Sequence, residues 1–250
     1  MTSDTSSNKS EPQGVMSAVY AQARTINPSL KFRLRARAQE TIRAHKKFSS
    51  RQKIETHLDF GAADGLSTKL LHLGLKAKCS IGIEYSAEIA RFSEQADLPN
   101  SCEIRVGDVI TELSKFESSS IDVITALAFL EHVKETSVLF KESARVLQNG
   151  GLFIASCPDP SWDKISGALG LHKDEHHEQD FNESVFESWV NECGLTTVHF
   201  HRFMNVFTGF LPYLRLPVSP HIGTALDTFL RPLPFSRYSF VNQLFVARKL

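Results

Sequence analysis

His57-Leu58-Asp59-Phe60-Gly61-Ala62-Ala63-Asp64-Gly65 is the stretch that decides how this chain is read. Lys53-Ile54-Glu55-Thr56 leads into it as a short, half-buried strand, and Leu66-Ser67-Thr68-Lys69-Leu70-Leu71 leaves it as the start of a helix. A strand that stops at two closely spaced glycines and turns straight into a helix makes a ligand site. Glycine accepts the angles of a tight turn and lets the main chain approach a bound group. The helix start then offers unpaired N–H groups and the positive end of its dipole. A pyrophosphate cradle asks for glycine at positions one, three and six of the turn. Counting from Gly61, the third position is Ala63 and the sixth is Leu66, which speaks against that cradle. Asp59, two residues before the first glycine, would repel a phosphate and suits a ligand with an ammonium or sulfonium group. An ordinary strand–helix turn without a ligand is the bland alternative.

Working outward, the segments alternate. Cys79-Ser80-Ile81-Gly82-Ile83-Glu84 is a short apolar run ending in an acid, and Ala87–Gln95 reads as a helix. Cys102-Glu103-Ile104-Arg105-Val106 alternates with period two and ends at Gly107-Asp108. Ile121–Leu127 is a β-branched run, the mark of a strand buried on both faces. Thr136–Gln148 reads as a helix closed by Asn149-Gly150, with glycine in the usual C-terminal place. Gly151–Ser156 is the next strand. Asn182 is placed to cap a helix whose Val185, Phe186, Trp189, Val190 and Cys193 form one stripe ending at Gly194. Thr196–Phe203 and Phe240–Ala247 supply two last strands. Strands alternating with helices predict an α/β, doubly wound sheet with ligands at the carboxyl ends of its strands.

Asp59, Glu84 and Asp108 then matter as a set. Each ends a strand, at intervals of 25 and 24 residues, so all three face one edge of the sheet. A carboxylate at Glu84 offers two oxygens to a vicinal diol. Asp108 could take an exocyclic amine, with the Val109 N–H meeting a ring nitrogen.

These residues resemble the class I S-adenosylmethionine-dependent methyltransferases over about 54–203. Asp59–Gly65 resembles their first motif, an acid followed by Gly-x-Gly-x-Gly, with Ala63 in place of the middle glycine. Leu130-Glu131-His132-Val133 resembles the end of their fourth strand in the branch acting on small molecules. Ala144–Leu152 resembles the Arg-Val-Leu-x-Pro-Gly-Gly that follows. The resemblance implies a seven-stranded, mostly parallel sheet with its last strand antiparallel, and S-adenosylmethionine as cofactor. It places the cofactor on Asp59, Gly61, Ala62, Ala63, Gly65, Glu84, Tyr85, Asp108, Val109 and Leu127. It implies transfer to a small-molecule acceptor, with oxygen the favoured atom, and His132 as base or, alternatively, as a stabiliser of its loop. His176 and His177, ahead of the helix that Asn182 caps, are second candidates at the acceptor site. Some relatives bind a metal through a Glu three residues before the Glu-His pair; Ala128 stands there, so no metal of that type is expected. His172 and His176 are four apart, but nothing completes a tetrahedral zinc set. Nucleic-acid methyltransferases carry Asn/Asp-Pro-Pro-Tyr/Phe after the fourth strand; here Ala126-Leu127-Ala128-Phe129 speaks against nucleic acid. A methyltransferase fold that binds without catalysing is the alternative function.

Composition agrees with a soluble globular protein holding a sizeable core: 42% apolar, 22% charged and no net charge, so no overall field draws the chain to a polyanion. Four cysteines far apart form no C-x-x-C pair and fit a reducing, cytoplasmic setting. Residues 1–14 read as a polar, disordered tail without the apolar core of a signal peptide, and no run approaches the ~18 apolar residues of a spanning helix.

Residues 15–52 read as an N-terminal helical extension to a methyltransferase domain at 53–250. Between Lys31 and Lys53 lie nine Lys and Arg against one acid, Glu40. That is either a solvated helix face or a surface for an anionic partner, including peripheral contact with a membrane. Asn205–Tyr238 holds five of the ten prolines among many apolar residues. It reads as an insertion of short helices at about 205–238, either a lid over an apolar acceptor or a segment packed on the flank or on a second copy. Oligomeric state is left open.

Overall fold

A computed structural model describes residues 26–168, 180–210, 219–233 and 236–250. The expected tail at 1–14, the helical reading of 15–25, the cluster around His172, His176 and His177, and residues 211–218 lie outside the described residues.

Helix α1 (Pro28–Phe48) opens the fold, and Asn27 caps it by accepting from the Ser29 N–H. The sheet holds β1 (Ile54–Phe60), β2 (Ala77–Glu84), β3 (Cys102–Val106), β4 (Ile121–Leu127), β5 (Leu147–Pro158), β6 (Leu195–Asn205) and β7 (Phe240–Lys249). Its order is β3-β2-β1-β4-β5-β7-β6. The first five strands run parallel, and β7 runs antiparallel to both β5 and β6. Between them come α2 (Leu66–Leu75), α3 (Ala87–Ala90) with a 3₁₀ turn over Arg91–Gln95, and α4 (Val109–Leu113). A 3₁₀ turn at Leu130–His132 precedes α5 (Thr136–Val146), followed by α6 (Pro160–Ala168) and α7 (Glu183–Glu192). Asn182 caps α7 as expected, its side chain accepting from the Val185 N–H.

The sheet is covered on both faces. One face buries Leu58, Phe60, Phe153 and Phe245 against Phe140 of α5 and Phe186 of α7. The other buries Leu152, Ile154, Leu244 and Val246 against Phe32, Ala36 and Ala44 of α1. Burying a side chain of this size stabilises by about 1.5–3 kcal/mol, so α1 is integral to the core as well as basic on its outer side. β4 is buried along almost its whole length, and Asp122, its second residue, is 1% exposed. Its charge is satisfied by Arg51 at 2.7 Å and by the Glu55 and Thr56 N–H groups, which pins the start of β1.

Two expectations need correction. The helix before β5 ends at Val146, and Asn149-Gly150 does not cap it; Leu147 already pairs with Ile121, and Gly150 takes φ +79° inside the strand. Ala87–Gln95 is a single α-turn continued as 3₁₀, because Arg91 onward lacks buried side chains to hold an α-helix.

The region after β6 forms α8 (Val206–Phe210) and α9 (Pro220–Leu230). α9 packs along α1 and against β6, where Asp227 accepts from the Met204 and Asn205 N–H groups at the end of the strand. Cys79, Cys102 and Cys157 sit in β2, β3 and β5, and all four thiols are free. No helix among the described residues is long and apolar enough to cross a membrane.

Candidate functional site

The parallel strands end together at Phe60, Glu84, Val106 and Leu127, and the turns beyond them form one edge. Gly61 takes φ +68°, and a Cβ there would come 2.7 Å from Cδ2 of Phe129, so this turn and the one after β4 are in close contact. Gly65, with φ +77°, starts α2 without a side-chain cap of its own, and the first N–H of the helix, that of Leu66, donates to Asp64 Oδ1 at 3.3 Å. Ala63 is left-handed, φ +48°, which for a residue with a Cβ costs about 1–2 kcal/mol. That conformation explains why the motif favours glycine at this place.

Glu84 holds the strained turn. Its Oε2 accepts from the Ala63 N–H at 2.9 Å and its Oε1 from the Ser86 N–H at 2.9 Å. The carboxylate is therefore fixed at the end of β2 by the backbone on both of its sides. Each oxygen can accept more than one hydrogen bond, so the arrangement fits a diol approaching from the edge. Tyr85 beside it is 52% exposed. Asp108 is exposed and caps α4, accepting from the N–H and hydroxyl of Thr111, while Val109 is buried behind it. Leu127 is half-buried at the end of β4.

Asp59 lies behind the turn, 1% exposed. Oδ2 accepts from the Ser67 and Thr68 hydroxyls of α2, and Oδ1 accepts from Thr125 of β4 at 2.7 Å. It ties helix α2 to the sheet, and what it lends a ligand at the turn is negative charge. Gly82, its neighbour in β2, leaves room for this: a Cβ there would lie 2.6 Å from both Ala62 and Thr68.

A chain of buried hydrogen bonds runs from Asp59 into the sheet. Thr125 meets His57 Nε2 at 2.8 Å, His57 Nδ1 meets Ser80 at 3.0 Å, and Ser80 meets His72 Nδ1 at 3.0 Å. His72 Nε2 ends it at Ser101, 3.1 Å away. A carboxylate only accepts, so Thr125 donates to Asp59 and must receive from His57. The polarity then propagates: His57 carries its proton on Nε2, accepts from Ser80, and Ser80 accepts from His72. His57, which accepts at Nδ1, is neutral in this arrangement. Burial, then His72 and His45, push His57 down to about 3.

This has a consequence for stability. Below about pH 6.5 the unfolded chain takes up a proton at His57 that the folded chain refuses until about pH 3, so stability falls as pH falls through that window. The contribution is about 1.4 kcal/mol per pH unit. Denaturant titrations of the wild type and His57→Gln should show the variant losing that much of the slope between about pH 4 and 6. Equal slopes would place the proton uptake elsewhere.

His132 ends the 3₁₀ turn after β4, half-buried at the same edge, its N–H donating to the Phe129 carbonyl at 3.0 Å. The preceding Glu131 is 3% exposed and interacts with the Cys157 thiol. Burial first and that carboxylate second push the Cys157 thiol well above its usual range, so it is no nucleophile. His177 lies outside the described residues. Ser67, Thr68, Thr125, His57, Ser80 and Gly82 were not read from the sequence as parts of the site, because single hydroxyls and a lone histidine carry no spacing signature.

The strand order, with its one antiparallel strand between two parallel neighbours, is that of the class I methyltransferase fold. Residues 58–155 match the family described as a methyltransferase domain.

Solved structures share the fold. A SAM-dependent methyltransferase from Archaeoglobus fulgidus is 14% identical with TM-score 0.65, covering 93% of this chain and 100% of that one. Geranyl diphosphate C-methyltransferase from Streptomyces coelicolor A3(2) is 16% identical with TM-score 0.59, covering 85% and 79%. Phosphoethanolamine N-methyltransferase 2 of Haemonchus contortus is 15% identical with TM-score 0.58, covering 84% and 52%. No curated protein matches the sequence.

Proposed function

We propose that this protein transfers a methyl group from S-adenosylmethionine to an oxygen of an apolar small molecule, such as a lipid-linked or aromatic compound. The observation that carries the cofactor assignment is the Glu84 carboxylate, fixed between the Ala63 and Ser86 N–H groups at the end of β2. Glu84, with Tyr85 beside it, holds the ribose. Asp108 and the Val109 N–H take the adenine, with Leu127 against it. Gly61, Ala62, Ala63 and Gly65 surround the methionine part, with the charge of Asp59 behind them. The cofactor supplies an electrophilic methyl group on its sulfonium, and the protein holds the acceptor about 3–3.5 Å from it and in line. His132, at the same edge, orients the acceptor hydroxyl and takes its proton. The apolar reading of the acceptor is supported by the composition of the segment that leaves β6 at this edge, where Phe207 is 70% exposed.

The test is to incubate the purified protein with methyl-labelled cofactor and either a lipid extract or an aqueous extract of cells. Label is expected in the organic phase only. Label confined to water-soluble products would overturn the apolar assignment. Cofactor binding by calorimetry with no transfer to either extract would favour the binding-protein alternative.

A further inference from the structure

α9 is mounted with its polar side inward. Gly223 packs against the Phe32 ring of α1, and Asp227, 3% exposed, accepts from the Met204 and Asn205 N–H groups at the end of β6. Arg231, at the end of the helix, lies 3.6 Å from Glu40 of α1. Burial raises the Glu40 carboxyl, but His201, Arg43 and Arg231 together hold it below its ordinary value, so the charge that receives Arg231 is kept. This polar latch fixes the rotation of α9 about its own axis.

The consequence is on the other side. Ile222 is 65% exposed and Phe229 is 72% exposed, with Ala225 exposed and Leu226 half-buried between them. The spacing i, i+3, i+4, i+7 makes this one apolar stripe, turned outward. A helix placed by hydrophobic burial alone would have been mounted the other way round.

The bordering surface is cationic. Lys31, Arg35 and Arg43 are exposed on α1 at spacings of four and eight. Gln39, on the same stripe, reaches His221 at 2.9 Å, immediately before Ile222. The acids of these two helices, Glu40 and Asp227, are both buried, so the exposed charges of α1 are all positive. Lys46 and Lys47 extend the cationic side toward the end of α1. A chain with no net charge has thus collected cations beside an outward apolar stripe.

We infer that this α1–α9 face docks on an anionic lipid surface, with Ile222 and Phe229 entering the headgroup boundary and Lys31, Arg35 and Arg43 over the lipid phosphates. Apolar insertion flanked by Lys and Arg is the chemistry of interfacial helices. The charge pattern favours lipid over a second copy of this face, because two such surfaces would bring like charges together. α8 leaves β6 at the carboxyl edge beside α9, so docking sets that edge near the membrane. Presenting an apolar acceptor there rests on the proposed function, whereas docking is measured apart from it.

The experiment is sedimentation of the full chain with vesicles of phosphatidylcholine alone or enriched in phosphatidylserine, with S-adenosylhomocysteine binding measured on the same samples. Binding is expected to the anionic vesicles, weakened by added salt. Ile222→Ser with Phe229→Ser should lower partition by about tenfold, and Lys31→Gln, Arg35→Gln and Arg43→Gln by about fivefold each. Unchanged affinity for S-adenosylhomocysteine in these variants would show that they are folded. Undiminished partition in both sets overturns the inference. So does a dimer in solution that Phe229→Ser dissolves, since the face would then be covered by a second copy. Vesicle binding without cofactor binding would sink the methyltransferase reading and leave the docking intact.

Discussion

Replacing Glu84 with alanine should weaken binding of S-adenosylhomocysteine by about 10²–10⁴-fold. Two charge-assisted hydrogen bonds to the ribose are worth about 1.5–3 kcal/mol each, and every 1.4 kcal/mol is about tenfold in affinity. The structure adds a second source of loss. The same carboxylate accepts from the Ala63 N–H, and Ala63 sits in the left-handed region. Without that acceptor the turn is free to relax away from the ligand. Glu84→Gln separates the two effects. Its amide keeps the volume but sets a donor against one of the N–H groups of Ala63 or Ser86, so an intermediate loss is expected. Calorimetry on the three proteins makes the comparison. An affinity unchanged in Glu84→Ala would remove this residue from the ribose and with it the central cofactor contact.

Much of this edge was legible in the sequence because strand ends are marked by abrupt changes of residue type. Apolar runs that stop at Asp59, Glu84 and Gly107-Asp108 place three acids at one edge once the strands are parallel. What could not be read is how the acids are held. Asp59 faces Thr125, 66 residues away, and Asp122 meets Arg51, 71 residues away. Such pairs depend on sheet register, which local pattern does not encode. The end of α5 misled for a related reason. Asn149-Gly150 has the chemistry of a helix cap, but pairing of Leu147 with Ile121 drew those residues into β5. For α9 the apolar residues were visible, and their outward direction was not, because the rotation is set by Asp227 reaching the end of β6.

For His132 the expected result is a fall in turnover of about 10²–10⁴-fold on replacement by alanine, with affinity for the cofactor kept. The geometry supports separating the two. His132 sits on the 3₁₀ turn after β4, and this turn meets the cofactor loop through Phe129, whose ring lies against Gly61 and edge-on to Phe60 at 6.0 Å. The backbone of the turn is held by the His132 and Val133 N–H groups, which donate to Phe129 and Leu130. Neither of these two backbone contacts uses the imidazole, so both can persist with alanine at 132. A role limited to bracing the turn would act through Phe129 on the cofactor loop, and affinity and turnover would fall together. A role on the acceptor would lower turnover alone. His132→Gln sharpens the distinction, since it keeps a polar side chain of similar reach and cannot take up a proton near neutral pH. If His132→Gln restores turnover, the imidazole only orients the acceptor; if it stays as slow as His132→Ala, proton removal is its function.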